Sequence, residues 1–241
     1  MKPHFHFITL FPQTIEVWLT TSILGRAYRS GLFDFTLYQL RDFTTDKHRA
    51  VDDVAYGGGG GMVLQVEPLV NAVETIRKQI GNHQSATIYF SPAGTPIQSQ
   101  VLEDLAPSET RHHYIFICGH YEGIDQRFID HWVDRELSLG DFVITGGELP
   151  AVAFTDALVR RLDGALGSPG ASDSESFSLV DPKTNNQLLE YPHYTRPVDF
   201  RGHKVPEILL SGNHKKIAQW RTDEAVRKTQ TRRPDLMTKV D

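Results

Sequence analysis

The stretch YIFICGHYEGIDQRFIDHWVDRELSLGDFVITGGELP, Tyr114–Pro150, decides the predicted fold. Its opening residues, Tyr114–Cys118, are β-branched and aromatic and stop at a glycine, which predicts a short buried strand. Phe142–Thr145 predicts a second strand that is also followed by glycines. Open α/β sheets bind ligands beyond the carboxyl ends of their strands, so two such ends with carboxylates favour one pocket built from two loops. Ordinary strand-ending turns would show the same spacing.

The rest of the chain alternates strand-like and helix-like segments, which predicts an α/β protein. Predicted strands are Phe5–Leu10 (an edge or first strand), Phe33–Leu40 and Ala86–Phe90; predicted helices are Thr14–Ser30, Val66–Ile80, Gln98–Leu105, Ala151–Arg161, Pro206–Leu210 and Lys215–Thr229. His4 and His6 alternate with phenylalanines and have no matching ligand pair nearby in the sequence. We therefore expect both histidines to face solvent, and the sequence predicts no dedicated metal site.

Five consecutive glycines, Gly57–Gly61, follow a charged segment. Glycine permits positive φ angles and a close approach of the backbone to a ligand. The run is not a phosphate-binding P-loop, because Met62 stands where a lysine followed by serine or threonine is needed. It fits the dinucleotide-binding fingerprint only trivially, and no apolar strand precedes it.

Composition divides the chain into three parts. Residues 167–188 are rich in serine, glycine, proline and aspartate, which predicts a flexible linker between a domain at 1–166 and a second domain at 189–241. The second domain carries 11 lysines and arginines against 7 acidic residues, although the whole chain has a net charge of −5. This asymmetry favours a basic surface that meets phosphates, and a solvated helical surface explains it nearly as well.

Overall composition favours a cytoplasmic protein. The chain has 241 residues, of which 39% are hydrophobic, so it can bury a sizeable core. One cysteine excludes an internal disulfide framework and fits a reducing compartment. Cys118 lies in an apolar run, which favours a small buried hydrophobe over a nucleophile. No apolar run approaches about 20 residues, and the N-terminus lacks a cleavage-type segment, so we expect neither a membrane span nor a signal peptide.

Several long motifs resemble those of the bacterial tRNA (guanine-N1)-methyltransferases, which are knotted methyltransferases of the SPOUT class. The resemblance extends over nearly the whole chain, from Leu10 to Leu236. The motifs that carry it are YGGGGGMV (Tyr56–Val63), ICGHYEGIDQR (Ile117–Arg127), SLGDFVITGGELPA (Ser138–Ala151), LLEYPHYTRP (Leu188–Pro197) and LLSGNH (Leu209–His214).

This resemblance implies an α/β fold with a parallel sheet and a deep trefoil knot in a SPOUT-type N-terminal domain, plus a small, mostly helical C-terminal domain that binds tRNA. It also implies S-adenosylmethionine as methyl donor, N1 of the guanosine 3′ of the anticodon as acceptor, a homodimer, and a requirement for magnesium. The knot, the dimer and the magnesium rest on resemblance alone, since true knots are rare.

The resemblance implies site residues as well. Those expected at the methyl donor are Tyr89, Phe90, Ser91, Pro92, Gly94, Gly119, Tyr121, Glu122, Gly123, Ser138, Leu139, Gly140, Phe142, Ile144, Gly146, Gly147 and Pro150. Those expected at tRNA are Gly59, Arg196, Asn213 and His214. Asp125 is a further carboxylate that we expect near the donor. His120 replaces an arginine of the family, with no evident consequence.

Chemistry narrows the catalytic candidates. Guanine N1 carries a proton at neutral pH, which a carboxylate within hydrogen-bond reach can remove as general base, and a guanidinium can stabilise the charge that spreads to O6. The family has an aspartate followed by Ser-Phe in the linker, whereas this chain has Glu175, with Asp173 as the alternative base. The family's arginine lies four residues after an aspartate, which selects Arg160 here, with Arg161 as its competitor.

Two other functions compete with this hypothesis. A dehydrogenase or methyltransferase of the Rossmann class would need a strand before the glycine run, and none is predicted. A noncatalytic RNA-binding module would explain the basic C-terminal domain, in which Tyr191, Tyr194 and Trp220 are interleaved with cations, although such aromatics more often lie in a core.

Overall fold

A computed structural model describes residues 2–108, 110–167, 170 and 174–237, with only the backbone of residue 111. The chain divides into two compact units, residues 1–167 and 168–241. In unit 1 the strands are β1 (His4–Thr9), β2 (Asp34–Gln39), β3 (Asp52–Val54), β4 (Met62–Leu64), β5 (Gln84–Pro96), β6 (Arg111–Ile117) and β7 (Arg135–Ser138). Its helices are α1 (Pro12–Thr20), α2 (Ser22–Arg29), α3 (Val66–Ile80), α4 (Ser99–Asp104), α5 (Gln126–Trp132) and α6 (Glu148–Val159).

A five-stranded parallel sheet forms the centre of unit 1, in the order β2-β1-β6-β5-β7. Apolar side chains cover both of its faces. Phe5 and Phe7 belong to a core shared with α1, α2 and α6, whereas Ile8 and Ile117 belong to a second core shared with α3 and α5. Burial on both faces is typical of parallel sheets, and the predicted α/β fold with a parallel sheet is confirmed.

Most predicted elements of unit 1 are confirmed within a few residues, and α3 matches Val66–Ile80 at both ends. The predicted helix Thr14–Ser30 is two helices, because Thr21 adopts an extended backbone conformation between them. Phe5–Leu10 was predicted as an edge or first strand: β1 is the first strand of the chain, but it is not at an edge, since it lies between β2 and β6.

The predicted strand Phe142–Thr145 is also wrong. These residues form a loop, and Val143 exposes 83% of its surface. The strand is instead β7, the more polar segment Arg135–Ser138, which pairs with β5 at the edge of the sheet. Pairing with a neighbour, rather than local apolar content, therefore decides which segment extends the sheet.

The expectation that His6 faces solvent is wrong as well. His6 is 4% exposed, because helices cover both faces of the sheet. Its Nε2 lies 3.0 Å from Nδ1 of His113, and its Nδ1 lies 3.3 Å from the hydroxyl of Tyr38. Burial, followed by the nearby histidines His4 and His113, lowers the pKa of His6 to about 3. His6 is therefore neutral in the folded chain at pH 7.

This shift predicts a loss of stability in acid. The unfolded chain binds a proton at His6 with the ordinary pKa of about 6.5, whereas the folded chain does not until about pH 3, so unfolding takes up a proton between these values. The contribution of His6 is complete above pH 6.5 and is lost as the pH falls. We expect roughly 2–3 kcal/mol less stability at pH 4.5 than at pH 7 from this residue.

Urea unfolding at both pH values, with a chelator present, measures the effect. His6→Gln removes the titrating group, so its free energy of unfolding should fall less between pH 7 and pH 4.5 than that of the parent. Equal pH dependence in the parent and the variant would contradict the assignment.

Unit 2 contains β8 (Asp199–Phe200), β9 (His203–Lys204), α7 (Glu207–Leu210) and α8 (His214–Arg232). Residues 174–188, which composition assigns to a linker, belong to this unit and form turns in which the backbone N–H of Phe177 donates to the carbonyl of Leu188 at 2.9 Å. The next residue is tied to α8, since the N–H of Leu189 donates to Oγ1 of Thr229 at 2.8 Å. Within the described ranges, no helix combines the length and apolar character that crossing a bilayer requires.

Candidate active site

A cavity of about 300 Å³ lies beyond the carboxyl ends of β5, β6 and β7. This is the edge at which parallel α/β sheets bind ligands. Three segments line it: the end of the buried part of β5, the loop after β6, and the stretch from the end of β7 to the first turn of α6. The lining residues are Tyr89, Phe90, Ser91, Pro92, Gly119, His120, Tyr121, Glu122, Gly123, Ser138, Leu139, Gly140, Phe142, Val143, Ile144, Thr145, Gly146, Gly147 and Pro150.

Every residue predicted at the methyl donor lines this cavity except Gly94 and Asp125. Gly94 lies within β5, where an added Cβ would approach the backbone of Leu137 to 2.4 Å, so this glycine allows two strands to pack closely. Sequence reasoning missed three lining residues, His120, Val143 and Thr145. All three lie inside motifs already quoted above. Residues 142–145 were predicted to form a second strand, which would place Val143 and Thr145 in the sheet rather than in the wall of a cavity.

The loops after β6 and β7 contact each other through their backbones. The N–H of Gly147 donates to the carbonyl of Gly119 at 2.9 Å, and His120 and Gly146 form an antiparallel bridge. A Cβ on Gly147 would lie 2.7 Å from the Cα of Cys118, closer than real Cβ atoms approach backbone. Gly147 is therefore required where the chain returns from the edge strand β7 past the end of β6.

A buried carboxylate holds the loops after β6 and β7 in contact. Glu148, 7% exposed, lies in the first turn of α6, where the helix dipole favours a negative charge. Nε2 of His120 lies 2.8 and 2.9 Å from its two carboxylate oxygens, and the hydroxyl of Thr9 donates to Oε1 at 2.5 Å. The histidine at position 120 thus joins the two loops to each other and to the end of β1. An added side chain at Gly146 would meet His120 and Glu148 first.

The glycine run lies next to the loop after β6. The backbone N–H of Glu122 donates to the carbonyl of Met62 at 3.0 Å, and a Cβ on Gly61 would lie 2.5 Å from Oε1 of Glu122. Gly59, predicted at tRNA, lies with the other glycines in the exposed connection between β3 and β4. The end of the glycine run therefore lies beside Glu122, a carboxylate residue that lines the cavity.

Other polar groups near the cavity have structural partners. The hydroxyl of Ser91 donates to Glu136 at 2.5 Å, and burial, followed by the charge of Glu136, raises the pKa of Tyr89 to about 12. Asp125 does not line the cavity; it caps α5 by accepting from the N–H of Arg127, whose guanidinium also lowers the pKa of the carboxyl. Glu122 is consequently the carboxylate that the structure places at the cavity.

Burial, and then the nearby Glu148, raises the pKa of the Cys118 thiol well above its usual range. The expectation of a small buried hydrophobe is confirmed, because Cys118 is 2% exposed within the core. A thiol in this state is a poor nucleophile.

Arg160, one of the two catalytic candidates, lies outside the cavity lining. Arg160 follows the last residue of α6, whereas the cavity borders the first turn, so about 18 Å of helix axis separates them. Glu175 belongs to unit 2, where its carbonyl accepts from the N–H groups of Ser178 and Leu179. Asp173 lies outside the described residues.

The remaining tRNA candidates belong to unit 2 and are exposed. Arg196 lines a shallow groove together with Tyr194, Phe200 and Lys204. Asn213 caps α8 by accepting from the N–H of Lys216, and His214 is the first residue of that helix. Asn213 thus has a structural role in addition to any contact with RNA.

Comparison with known proteins identifies relatives of this chain. The family described as "tRNA (Guanine-1)-methyltransferase TrmD" matches residues 3–239. A protein of Brevibacillus brevis named tRNA (guanine-N(1)-)-methyltransferase is 48% identical over 96% of this chain and 90% of its own length. Proteins of the same name from Geobacter metallireducens and Dictyoglomus turgidum are each 46% identical, over 98% and 97% of this chain and 91% and 89% of their own lengths.

Proposed function

The chain belongs to the tRNA (guanine-1)-methyltransferase family, and from that premise we propose that it transfers a methyl group from S-adenosylmethionine to N1 of the guanosine 3′ of the tRNA anticodon. The cavity at the ends of β5, β6 and β7 carries this proposal, because its three loops hold the residues that the family's motifs provide.

The cavity suits the proposed donor. Its volume lies near the lower end of the range of about 300–1,000 Å³ that small-molecule sites occupy. Leu139, Phe142 and Ile144 offer an apolar wall for a flat ring, and the glycine-bearing loops expose backbone N–H and C=O groups to its edge. S-adenosylmethionine supplies an activated methyl group on a positive sulfonium, and Glu122 is the lining carboxylate that can favour that charge.

The chain's own residues supply the acid–base chemistry. Glu175 accepts the N1 proton of guanine, which frees the ring nitrogen to form the new bond to carbon. Arg160 stabilises the negative charge that develops on O6. The cavity loops would hold the donor and would thereby contribute proximity between its methyl group and the bound base.

A homodimer would bring these groups together, and we propose that each site is shared between two subunits. Two observations support this. Arg160 is separated from the cavity of its own chain by the length of α6. Large apolar side chains on α1 and at the start of α6 are exposed in the single chain, among them Trp18 at 58% and Leu149 at 52%. Covering this face would exclude apolar surface from water.

The deep trefoil knot is part of the same proposal. The segment from β7 to α6 leaves the edge of the sheet, returns past β5 to the backbone of Gly119, and continues into a helix packed near β1. A knot at this edge of the sheet requires that the chain pass back across a neighbouring strand in this way.

The expectation that the enzyme requires magnesium rests only on the resemblance to the family. In the described part of the chain, the grouping with metal-ligand spacing consists of three histidines at the opposite end of the sheet. Magnesium prefers oxygen ligands, so these residues do not fit it. The proposal accordingly assigns magnesium no residue and no step.

Methylation of an unmodified tRNA transcript with guanosine 3′ of the anticodon tests the proposal directly. Transfer of a labelled methyl group, and recovery of 1-methylguanosine from that position by nuclease digestion and mass spectrometry, is the expected result. A transcript with adenosine at that position is the control. Donor binding without methylation of either transcript would contradict the assigned reaction, and tRNA binding without donor binding would favour a noncatalytic RNA-binding module.

Shared sites predict rescue in mixed dimers. Arg160→Ala and Ile144→Arg, which fills the cavity of its own chain, should each abolish activity alone. After subunit exchange, the heterodimers retain one intact site, so about a quarter of parental activity should return in an equal mixture. Measured exchange without any recovery would contradict shared sites.

The basic part of unit 2, residues 189–241, predicts salt-dependent tRNA binding. Phosphate contacts release counterions, so affinity should fall steeply with salt. Lys215 and Lys216 are exposed at the start of α8, and replacing both with glutamine should reduce the slope of log affinity against log salt by roughly one to two. Lys78→Gln in unit 1 is the control, and an unchanged slope in the double variant would exclude these lysines.

A further inference from the structure

Three histidines meet on one face of the sheet at the end opposite the cavity. His4 begins β1 and lies directly beside His113 of β6, and His6 lies two residues further along the same face. Each ring offers one nitrogen, and the three nitrogens all lie within 4.8 Å of one another. The rings of His4 and His6 are stacked with centroids 4.2 Å apart, which aligns them towards the same space.

We propose that His4, His6 and His113 bind one divalent transition-metal ion, for which Zn²⁺ is the best match. In a tetrahedral zinc site with bonds of about 2.0–2.1 Å, the ligand nitrogens lie roughly 3.3–3.4 Å apart. Nε2 of His6 and Nδ1 of His113 are already 3.0 Å apart. A modest rotation of the rings would bring all three nitrogens to one ion and leave the fourth position to water.

The surroundings of His6 suit a ligand. Its Nε2 faces His113, while its Nδ1 lies 3.3 Å from the hydroxyl of Tyr38, which donates to Oε1 of Gln79 at 3.0 Å. The N–H at Nδ1 can therefore donate to the Tyr38 oxygen and leave Nε2 free for metal. Ligating histidines usually make such a hydrogen bond through the second nitrogen, which fixes the ring orientation.

The position of the cluster indicates a structural role. His4 and His113 lie near the starts of their strands, whereas the cavity lies beyond the ends of β5, β6 and β7. A metal here would join β1 to β6, two strands that are distant in sequence. It would stabilise the folded chain and would take no part in methyl transfer.

Calorimetric titration of the untagged, metal-free chain with Zn²⁺ tests the proposal. One saturable Zn²⁺ per chain is expected, together with a rise in melting temperature, because an ion that binds only the folded chain stabilises it. Mg²⁺ should give neither effect. Substitution with Co²⁺ should give the visible absorption of a four-coordinate nitrogen site.

Variants locate the site. His4→Gln and His113→Gln change partly exposed residues, and each should weaken Zn²⁺ binding by about 100-fold or more, whereas Tyr38→Phe should weaken it by roughly tenfold. His131→Gln, at an exposed histidine on α5, should bind Zn²⁺ as the parent does. The proposal fails if the parent binds no Zn²⁺, or if His4→Gln and His113→Gln retain parental affinity, since the three imidazoles would then form only a hydrogen-bonded network.

Discussion

Replacement of Glu175 with glutamine should lower the rate of methyl transfer by about 10²–10⁴-fold, the loss typical of a positioned acid–base group. The amide keeps the shape of the side chain but cannot accept the N1 proton. Donor affinity should change little, because the proposed role of Glu175 is to take the proton of guanine rather than to hold the donor. Single-turnover methyl transfer at saturating tRNA and donor is the measurement, since it separates the chemical step from binding and product release.

Two further variants identify the base. Glu175→Asp should retain activity, because it restores the carboxylate that the family has at this position. Asp173→Asn should have a mild effect. A parental rate for Glu175→Gln combined with a collapse for Asp173→Asn would make Asp173 the base, and near-parental rates for both would remove the segment from the mechanism.

Replacement of Gly147 with alanine should damage the cavity severely. The new Cβ would meet the Cα of Cys118 at 2.7 Å and the backbone nitrogen of Gly119 at 2.8 Å. Neither atom can rotate away, so the two loops must separate. We expect a roughly 100-fold or greater loss of methyl-transfer efficiency. Overpacking should also lower the free energy of unfolding by about 1–3 kcal/mol, and with it the melting temperature by roughly 2–10 °C.

Donor titration and thermal unfolding check this prediction together. Gly167→Ala is the matched control, because nothing lies within 4 Å of its added Cβ. Gly146→Ala should be intermediate, since its neighbours are the side chains of His120 and Glu148, which can shift. Parental donor affinity and melting temperature in Gly147→Ala would contradict the close crossing of the two loops.

The sequence predicted the buried elements well because their apolar spacing is a local property. The helix Val66–Ile80 and the strand at Tyr114–Cys118 are examples of this. The incorrect prediction of a strand at Phe142–Thr145 has the same cause. Its apolar residues resemble a strand, yet they line a cavity and face solvent, while the polar β7 completes the sheet through its pairing with β5.

The cavity loops were predictable because glycine-rich turns after strands leave a signature in the sequence. The contacts that hold those loops were not. His120 and Glu148 are 28 positions apart, and only the fold brings the imidazole to the carboxylate. The histidine cluster escaped prediction because alternation with phenylalanine indicates a solvent-facing side only when one face of a sheet is open, and here both faces are covered.

Because β1 lies inside the sheet, one of its two edges stays unpaired while the rest of the chain is being synthesised. β1 and β2 can pair early, but the other neighbour of β1 begins at Arg111, about 70 residues after β2 ends. At a translation rate of about 5–20 residues per second, the free edge of β1 waits roughly 4–15 seconds for β6. Its apolar residues Phe5, Phe7 and Ile8 are exposed to unwanted strand pairing during that interval. Slower translation upstream of β6 would lengthen this period. A chaperone that shields the first 40 residues would reduce unwanted strand pairing during it.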